Sequence, residues 1–469
     1  MTTKSIIYFF AILLTSSSLL AQDFNYYRYE KDFISSAFHQ NRREEVRKKM
    51  PENSVAVLFA NPTRNRTNDI DYDYHQDPNF YYLTGFNEPN SVLLIYKNNI
   101  TIDDKQVNEI LFVPVREKSD EIWNGRRAGI NGAQIISGVK AVFYAEDFIK
   151  RNSLFADTSL DILHLKMHKG IVNDKNDGCD LFELDEYFRT LINRNTSKGD
   201  SFKLNKILQE LREVKTEEEI ILMKRSISMT CKGFSAMMSK IKPGMTEYQV
   251  QAEGEYVFKK FGAETQGYSS ICGGGENSCI LHYSNNRRTL NDSDLILLDM
   301  GAEYHGYSSD VSRTIPVNGK FTENQKLIYE LVLKAQNAGI KACVVGNEFS
   351  STQKAASEVI SEGLVKLGII KSPDEFSRYF MHGTSHYLGL DVHDLGTRGV
   401  FKNGTIITVE PGIYIEENSP CDSKWWNIGI RIEDDILVTD LGPINLSEQA
   451  PRKVEEIEKI IGQTTLINK

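Results

Sequence analysis

The chain has 469 residues, 40% of them hydrophobic and 25% charged, with a formal net charge of −9 and a pI near 5.6. That length leaves room for two or three domains and for a deeply buried site. The acidic balance excludes a nucleic-acid binder, since phosphate contacts need clustered Lys and Arg, and the one basic run, Arg42 to Lys49, reads as a solvated helix face.

Lys4 precedes an apolar run from Ile6 to Leu14, and a Ser-rich stretch ends at Ala21 before polar Gln22 and Asp23. This pattern predicts a cleaved secretory signal over residues 1–21. The run is shorter than the roughly 20 residues a spanning helix needs, and no cysteine follows it to carry a lipid. The expected mature protein is therefore secreted or periplasmic, without a stable membrane span. Six cysteines lack any CxxC or paired spacing, so they are expected to be free and mostly buried.

From residue 22 to about 200 the signals are those of a small α/β domain. A helix is expected over 41–50 and strands over Ser54–Phe59 and Ser91–Tyr96. The polar patch Asn193 to Asp200 breaks the periodicity and separates a second domain, 201–469. A helix is expected from Lys206 to Val214. Thr216 with Glu219 then makes a capping box that starts a helix reaching about Met238, and Thr246 opens another. Strand-like segments follow at 268–272, 279–283, 295–299 and 307–315. The order recurs, with helices over 322–339 and 351–367 and strands over 405–409 and 428–438, which suggests two pseudo-equivalent halves.

Within the first set of strands, Asp299 and Asp310 flank a turn centred on Tyr304 and His305, and a symmetric hairpin would place them opposite one another. Like charges facing each other on a sheet are destabilising unless something compensates. In the second half Glu410 ends one apolar strand and Glu433 lies in the returning strand, again opposed by symmetric pairing. Between them, Met381 to His393 holds three of the nine histidines. Four carboxylates and an imidazole form a hard, oxygen-rich site, and two divalent cations would cancel four negative charges. Such paired ions, about 3.5–4 Å apart, activate water and polarise a carbonyl, so amide or ester hydrolysis is the expected chemistry. A zincin is a poor fit, because Gly383 stands where that motif needs its glutamate. Cys272 to Gly275 lacks the Lys-Ser/Thr of a P-loop and reads as a turn.

These residues resemble the pita-bread metallopeptidases, and among them the Xaa-Pro aminopeptidases (aminopeptidase P). The likeness rests on 279–285, 310–314, 382–394, 409–414 and 429–434, and in the first domain on Asp77 to Pro89 and Ile122 to Arg127. It implies an α+β protein with a C-terminal pita-bread catalytic domain behind a smaller α/β domain built on a mixed sheet. It also implies a metal-dependent aminopeptidase that removes the residue before a penultimate proline by attack of a metal-bridging hydroxide. Asp299, Asp310, His386, Glu410 and Glu433 are the implied ligands, Asp310 and Glu433 bridging, and manganese is the implied metal. Glu410 would orient and deprotonate the water, and His282, His382 and His393 would surround the scissile carbonyl and the proline. Tyr414 and Arg431 would form a supporting pair, Trp123 would either approach the pocket or belong to the core, and a homodimer or homotetramer is expected. Ser312 and His75 depart from the family's usual Thr and Arg, and neither is expected to touch the ligands. An Xaa-Pro dipeptidase is the alternative within this class; a metal-free peptide-binding relative is remote from it, because all five ligands are present.

Overall fold

The computed structural model describes residues 29–166, 171, 179–195 and 199–467. The expected signal segment lies outside them. Among the described residues no helix is long and apolar enough to cross a membrane. All six cysteines are free, and Cys231, Cys272, Cys279 and Cys343 are buried. Two compact units divide the chain, Met1–Leu211 and Arg212–Lys469. The helix expected near 206–214 spans Lys203–Arg212, across this division.

The first unit is built on strands β1 (Ser54–Phe59), β2 (Val92–Ile102), β3 (Lys105–Val113), β4 (Ala141–Tyr144) and β5 (Asp161–His164), in the order β4-β3-β2-β1-β5. Strand β1 runs antiparallel to β2 and parallel to β5, and β3 runs parallel to β4, so the sheet is mixed. Every residue of β1 is buried, as expected of an unbroken apolar run covered on both faces. Phe59, Leu94, Phe112, Phe148 and Phe188 share one core.

Helix α1 (Ser36–Lys49) starts where the Ser35 hydroxyl accepts from the Phe38 amide at 3.2 Å, an N-cap that meets one otherwise orphaned donor. Its basic run is not wholly a solvated face. Arg43 is fully buried, donating to Glu109 at 2.9 and 3.1 Å and to the carbonyls of Leu83 and Ser137. A guanidinium can be buried once its fixed fork of donors is met, and position 43 lies on the same inner face as Val46.

The second unit opens with helices α2 (Glu217–Lys240) and α3 (Glu247–Lys260), followed by β6 (Ile271–Gly274), β7 (Leu295–Met300) and β8 (Val311–Pro316) in an antiparallel sheet ordered β8-β7-β6. The pattern then repeats. Helices α4 (Glu323–Ala342) and α5 (Ser351–Lys366) precede β9 (Ile406–Val409), β10 (Gly412–Ile415), β11 (Ile428–Arg431), β12 (Asp434–Thr439) and β13 (Gly442–Asn445). Strands β9, β12 and β13 form one sheet, and β10 pairs with β11. Capping boxes at Thr216/Glu219, Thr246/Gln249 and Thr322/Gln325 satisfy the first amides of α2, α3 and α4.

Two expectations about the strands are corrected. Residues 279–283 are not a strand; a 3-10 turn, Gly275–Cys279, leads into a loop that runs to β7. Side chains replace the ladder there, since the amides of Gly274 and Arg288 donate to Glu247 and that of Cys272 to Asn286. The β7–β8 hairpin also turns one residue later than expected. Glu303 pairs with Ser308 and Tyr304 with Tyr307, which leaves His305 (φ 49°) and Gly306 (φ 80°) as the two-residue turn. Two successive positive φ angles suit a hairpin turn whose twist matches the strands. Asp299 is consequently opposite Ser312 rather than Asp310, and Asp310 occupies the diagonal position two residues along. In the second half the pairs Val409↔Asp434 and Gly412↔Arg431 bracket Glu410 and Glu433, which keeps those two carboxylates opposed as expected.

Candidate metal centre

The floor of the site is built from strands. Asp299 is the penultimate residue of β7, Asp310 leads into β8, and Glu433 lies in the break between β11 and β12; their exposures are 8%, 5% and 2%. Ligand atoms of Asp310, His386 and Glu433 all lie within 4.8 Å of one another. Glu410 joins them through His386, whose Nε2 is 3.6 Å from Glu410 Oε1 and 3.4 Å from Asp310 Oδ2. Asp299 joins through Tyr268, whose hydroxyl lies 2.5 Å from both Asp299 Oδ1 and Asp310 Oδ1. The structure thus brings all five sequence-predicted ligands to one place.

His386 is held in the tautomer a metal ligand needs. Its Nδ1 is 2.9 Å from the Tyr387 carbonyl, which can only accept, so Nδ1 carries a proton and Nε2 is the atom turned to the carboxylates, able to ligate a cation once it gives up its own proton.

Burial and mutual repulsion set the electrostatics of the cluster. Burial, with Asp310 and Glu410 beside it, pushes Glu433 well above the usual carboxylate range. Burial also raises Asp299 against the pull of Arg431, and pushes Glu410 up to about 7. Burial opposes a charged His386, yet the hydrogen bond to Asp310 and the Glu410 charge carry it up to about 9. Asp310 is the exception, held low despite burial by His386. A phenol has one proton and donates to one carboxylate at a time, so the second 2.5 Å contact of Tyr268 needs a carboxyl proton or a cation nearby. An oxygen-rich set with one imidazole suits divalent cations, which would stabilise the charged carboxylates that burial disfavours.

Around the floor runs a directed hydrogen-bond chain. His382 Nδ1 is 2.9 Å from the Gly383 carbonyl, so its Nε2 accepts from the Tyr414 hydroxyl at 2.8 Å. Tyr414 in turn accepts from Arg431 Nη1 at 2.9 Å, and Arg431 Nη2 donates to Asp299 Oδ2 at 2.5 Å. Burial and the Arg431 charge hold His382 down to about 4, so the ring is neutral. Arg431 is itself buried, and its Nε donates to Ser312 Oγ at 2.9 Å. His282 and His393 are exposed at the rim. The His393 ring is 4.3 Å from that of His386. Burial and the nearby charges of His386 and His282 lower His393.

Two residues escaped the sequence reading. Tyr268, expected only to open a strand, lies ahead of β6 and reaches both acids with its hydroxyl; an aromatic hydroxyl ahead of a β segment leading to two acids is a usable signal. Ser312, expected to stand clear of the ligands, donates to Glu433 Oε2 at 2.6 Å; the hairpin register that puts it opposite Asp299 aims it into the site. Trp123 is 87% exposed and not part of the core.

Residues 221–440 match metallopeptidase family M24, and residues 39–159 match the aminopeptidase P N-terminal domain. The Xaa-Pro aminopeptidase of Escherichia coli is 36% identical over 91% of this chain and 98% of its own length. The chain belongs to metallopeptidase family M24. As an M24 member it is a hydrolase that uses divalent metal ions. Its fold matches that of aminopeptidase P from E. coli with the inhibitor Pro-Leu, at a TM-score of 0.83 and 34% identity, covering 92% of this chain and all of that one. A zinc-substituted E. coli aminopeptidase P in complex with product matches at a TM-score of 0.82, 34% identity, 92% and 99% coverage. The α+β architecture, with an aminopeptidase P-type first domain and a pita-bread catalytic domain, is therefore that of this M24 member.

Proposed function

We propose that the chain is an Xaa-Pro aminopeptidase, releasing the N-terminal residue from peptides with proline in second position. The observation that carries this is the convergence of Asp299, Asp310, His386, Glu410 and Glu433 in a chain that matches both domains of an Xaa-Pro aminopeptidase over nearly its whole length.

Bound between these residues, a pair of divalent cations would supply an activated water and a Lewis acid for the scissile carbonyl. Asp310 and Glu433 would be the shared ligands, their carboxylate atoms lying within 4.8 Å of each other and of the His386 ring nitrogen. Glu410, less buried than the floor acids, would take the proton from the attacking water. Arg431, through Tyr414, fixes the ring of His382, and His282 and His393 would donate to the carbonyl as it becomes an oxyanion. Manganese is the proposed metal, in keeping with the hard ligand set. Export to the periplasm or medium follows from the leader pattern of residues 1–21, and a homodimer or homotetramer is proposed by resemblance.

Turnover of an Xaa-Pro-Xaa tripeptide and an Xaa-Pro dipeptide by chelator-stripped enzyme, with Mn, Co or Zn restored, tests the assignment. Tripeptide cleavage that returns with the metal is expected. Cleavage of the dipeptide alone would make the protein a dipeptidase, and no turnover with any metal would remove the hydrolase mechanism.

A further inference from the structure

The rim histidine His282 belongs to a segment without regular secondary structure, yet a reactive group must be held still to be useful. Its neighbours show how this is done. Leu281 and Tyr283, on either side of it, pack against a buried cluster of Ile271, Cys279, Leu297 and Tyr414. The polar anchoring comes from one face of α3.

Glu247, in the first turn of α3, is 0% exposed. Its Oε1 accepts from the Gly274 amide at 2.8 Å and from Asn277 Nδ2 at 3.1 Å. Its Oε2 accepts from the Tyr283 hydroxyl at 2.9 Å and from the Arg288 amide at 2.8 Å. One helical turn on, Gln251 Oε1 accepts from Asn286 Nδ2 at 2.9 Å, and Asn286 also takes the Cys272 amide at 3.0 Å. Another turn on, Glu255 accepts from Ser270 Oγ and Gln251 Nε2, both at 2.8 Å. Positions i, i+4 and i+8 of a helix lie in one row. That row is polar where it faces the segment 270–288, so both ends of the loop carrying His282 are fastened to the same rigid element.

We infer that Glu247 is the positioning residue for His282: its buried carboxylate, taking four donors from the turn before the loop and from the loop's far end, fixes the rim histidine over the metal centre. The inference rests on the reading of His282 as a group that faces the scissile carbonyl. A carboxylate is required because all four partners are donors. A glutamine of the same shape would turn its NH₂ on two of them, and a buried donor left without an acceptor is displaced rather than tolerated.

The test is a double-mutant cycle on metal-loaded full-length enzyme, with kcat/KM for an Xaa-Pro-Xaa tripeptide and bound metal per chain as readouts. Glu247→Gln is expected to lower kcat/KM on the order of 10- to 100-fold, the effect of a small misplacement of a reacting group, with metal content unchanged. His282→Ala is expected to lower it too, and adding Glu247→Gln to His282→Ala is expected to cost at most about a further 2-fold. Losses that multiply in full in the double variant would overturn the proposal, since Glu247 would then act elsewhere. Wild-type kcat/KM in His282→Ala would overturn it by removing the role of the histidine, an outcome separable from the first. Should Glu247→Gln not fold, Tyr283→Phe deletes one of the four donors while keeping the ring, and the same non-additivity with His282→Ala decides the matter.

Discussion

Tyr268 and Tyr414 both carry buried hydroxyls at the centre of this site, and their partners assign them different work. Tyr268 bridges Asp299 and Asp310, two of the carboxylates proposed as metal ligands; groups that orient ligands usually account for 10- to 100-fold in affinity. Tyr268→Phe is expected to weaken Mn binding by about that factor, read by competition titration with a chromogenic chelator, while saturating metal restores most of the turnover. Tyr414 instead links His382 to Arg431, one step removed from the ligand Asp299. Tyr414→Phe should lower kcat on the order of 100-fold with two metals per chain still bound. Parallel loss of metal and activity in Tyr414→Phe would show that the hydrogen-bond chain serves only to hold Asp299. The convergence of Asp299, Asp310, His386, Glu410 and Glu433 is legible in the sequence because their motifs are contiguous strings. Ser312 was misread, since nothing in a string of residues states which strand partner a serine faces.

At the level of elements, the two hairpins explain what was legible and what was not. Apolar runs and capping boxes located the helices and most strands to within a few residues, because periodicity and cap chemistry are local. The register of the β7–β8 hairpin is not local in that sense. It depends on which two residues accept positive φ, and His305 with Gly306 does so in place of the symmetric centre. The same hairpin contains a close approach that a side chain cannot enter, as a Cβ added to Gly301 would lie 1.8 Å from the Ser309 carbonyl oxygen. Ser309 precedes Asp310, so a backbone shift there moves that carboxylate within the cluster. Gly301→Ala is expected to cost about 1–3 kcal/mol in chemical denaturation, the range for an overfilled core position, and to weaken metal binding in the same preparation. Normal metal affinity in a destabilised Gly301→Ala protein would separate the hairpin's geometry from the ligand geometry. The expected strand 279–283 fails for a related reason: side chains of Glu247 and Asn286 meet the amides of Gly274, Arg288 and Cys272 on either side of it, partners that no pattern of alternation reveals.

Across the whole molecule, the buried acids make the metal part of the fold's stability as well as of its chemistry. Glu410 is raised from an ordinary value of 4.5 to about 7, so between those values the metal-free folded chain holds a proton that the unfolded chain has released. Stability of the metal-free protein therefore falls as pH rises through that window. His386 is raised from 6.5 to about 9, and the folded chain again binds more protons than the unfolded one, so its contribution is complete below 6.5 and is lost as pH rises through about 9. Asp310, held low by His386, gives the opposite slope, but only below its ordinary value of 3.8. The metal-loaded protein behaves differently, because cations bind the deprotonated ligands and their affinity climbs over the same range. A ligand present at 1,000 times its Kd stabilises by about 4 kcal/mol, and that term grows as the competing protons leave. The gap in Tm between metal-loaded and chelator-treated protein is accordingly expected to widen from about pH 5.5 to about pH 8.5, with the metal-free Tm itself declining. Thermal scans at matched ionic strength measure both curves. A gap that stays constant or narrows over this range would mean that the protons on Glu410 and His386 do not compete with the cations, and hence that these two residues are not ligands.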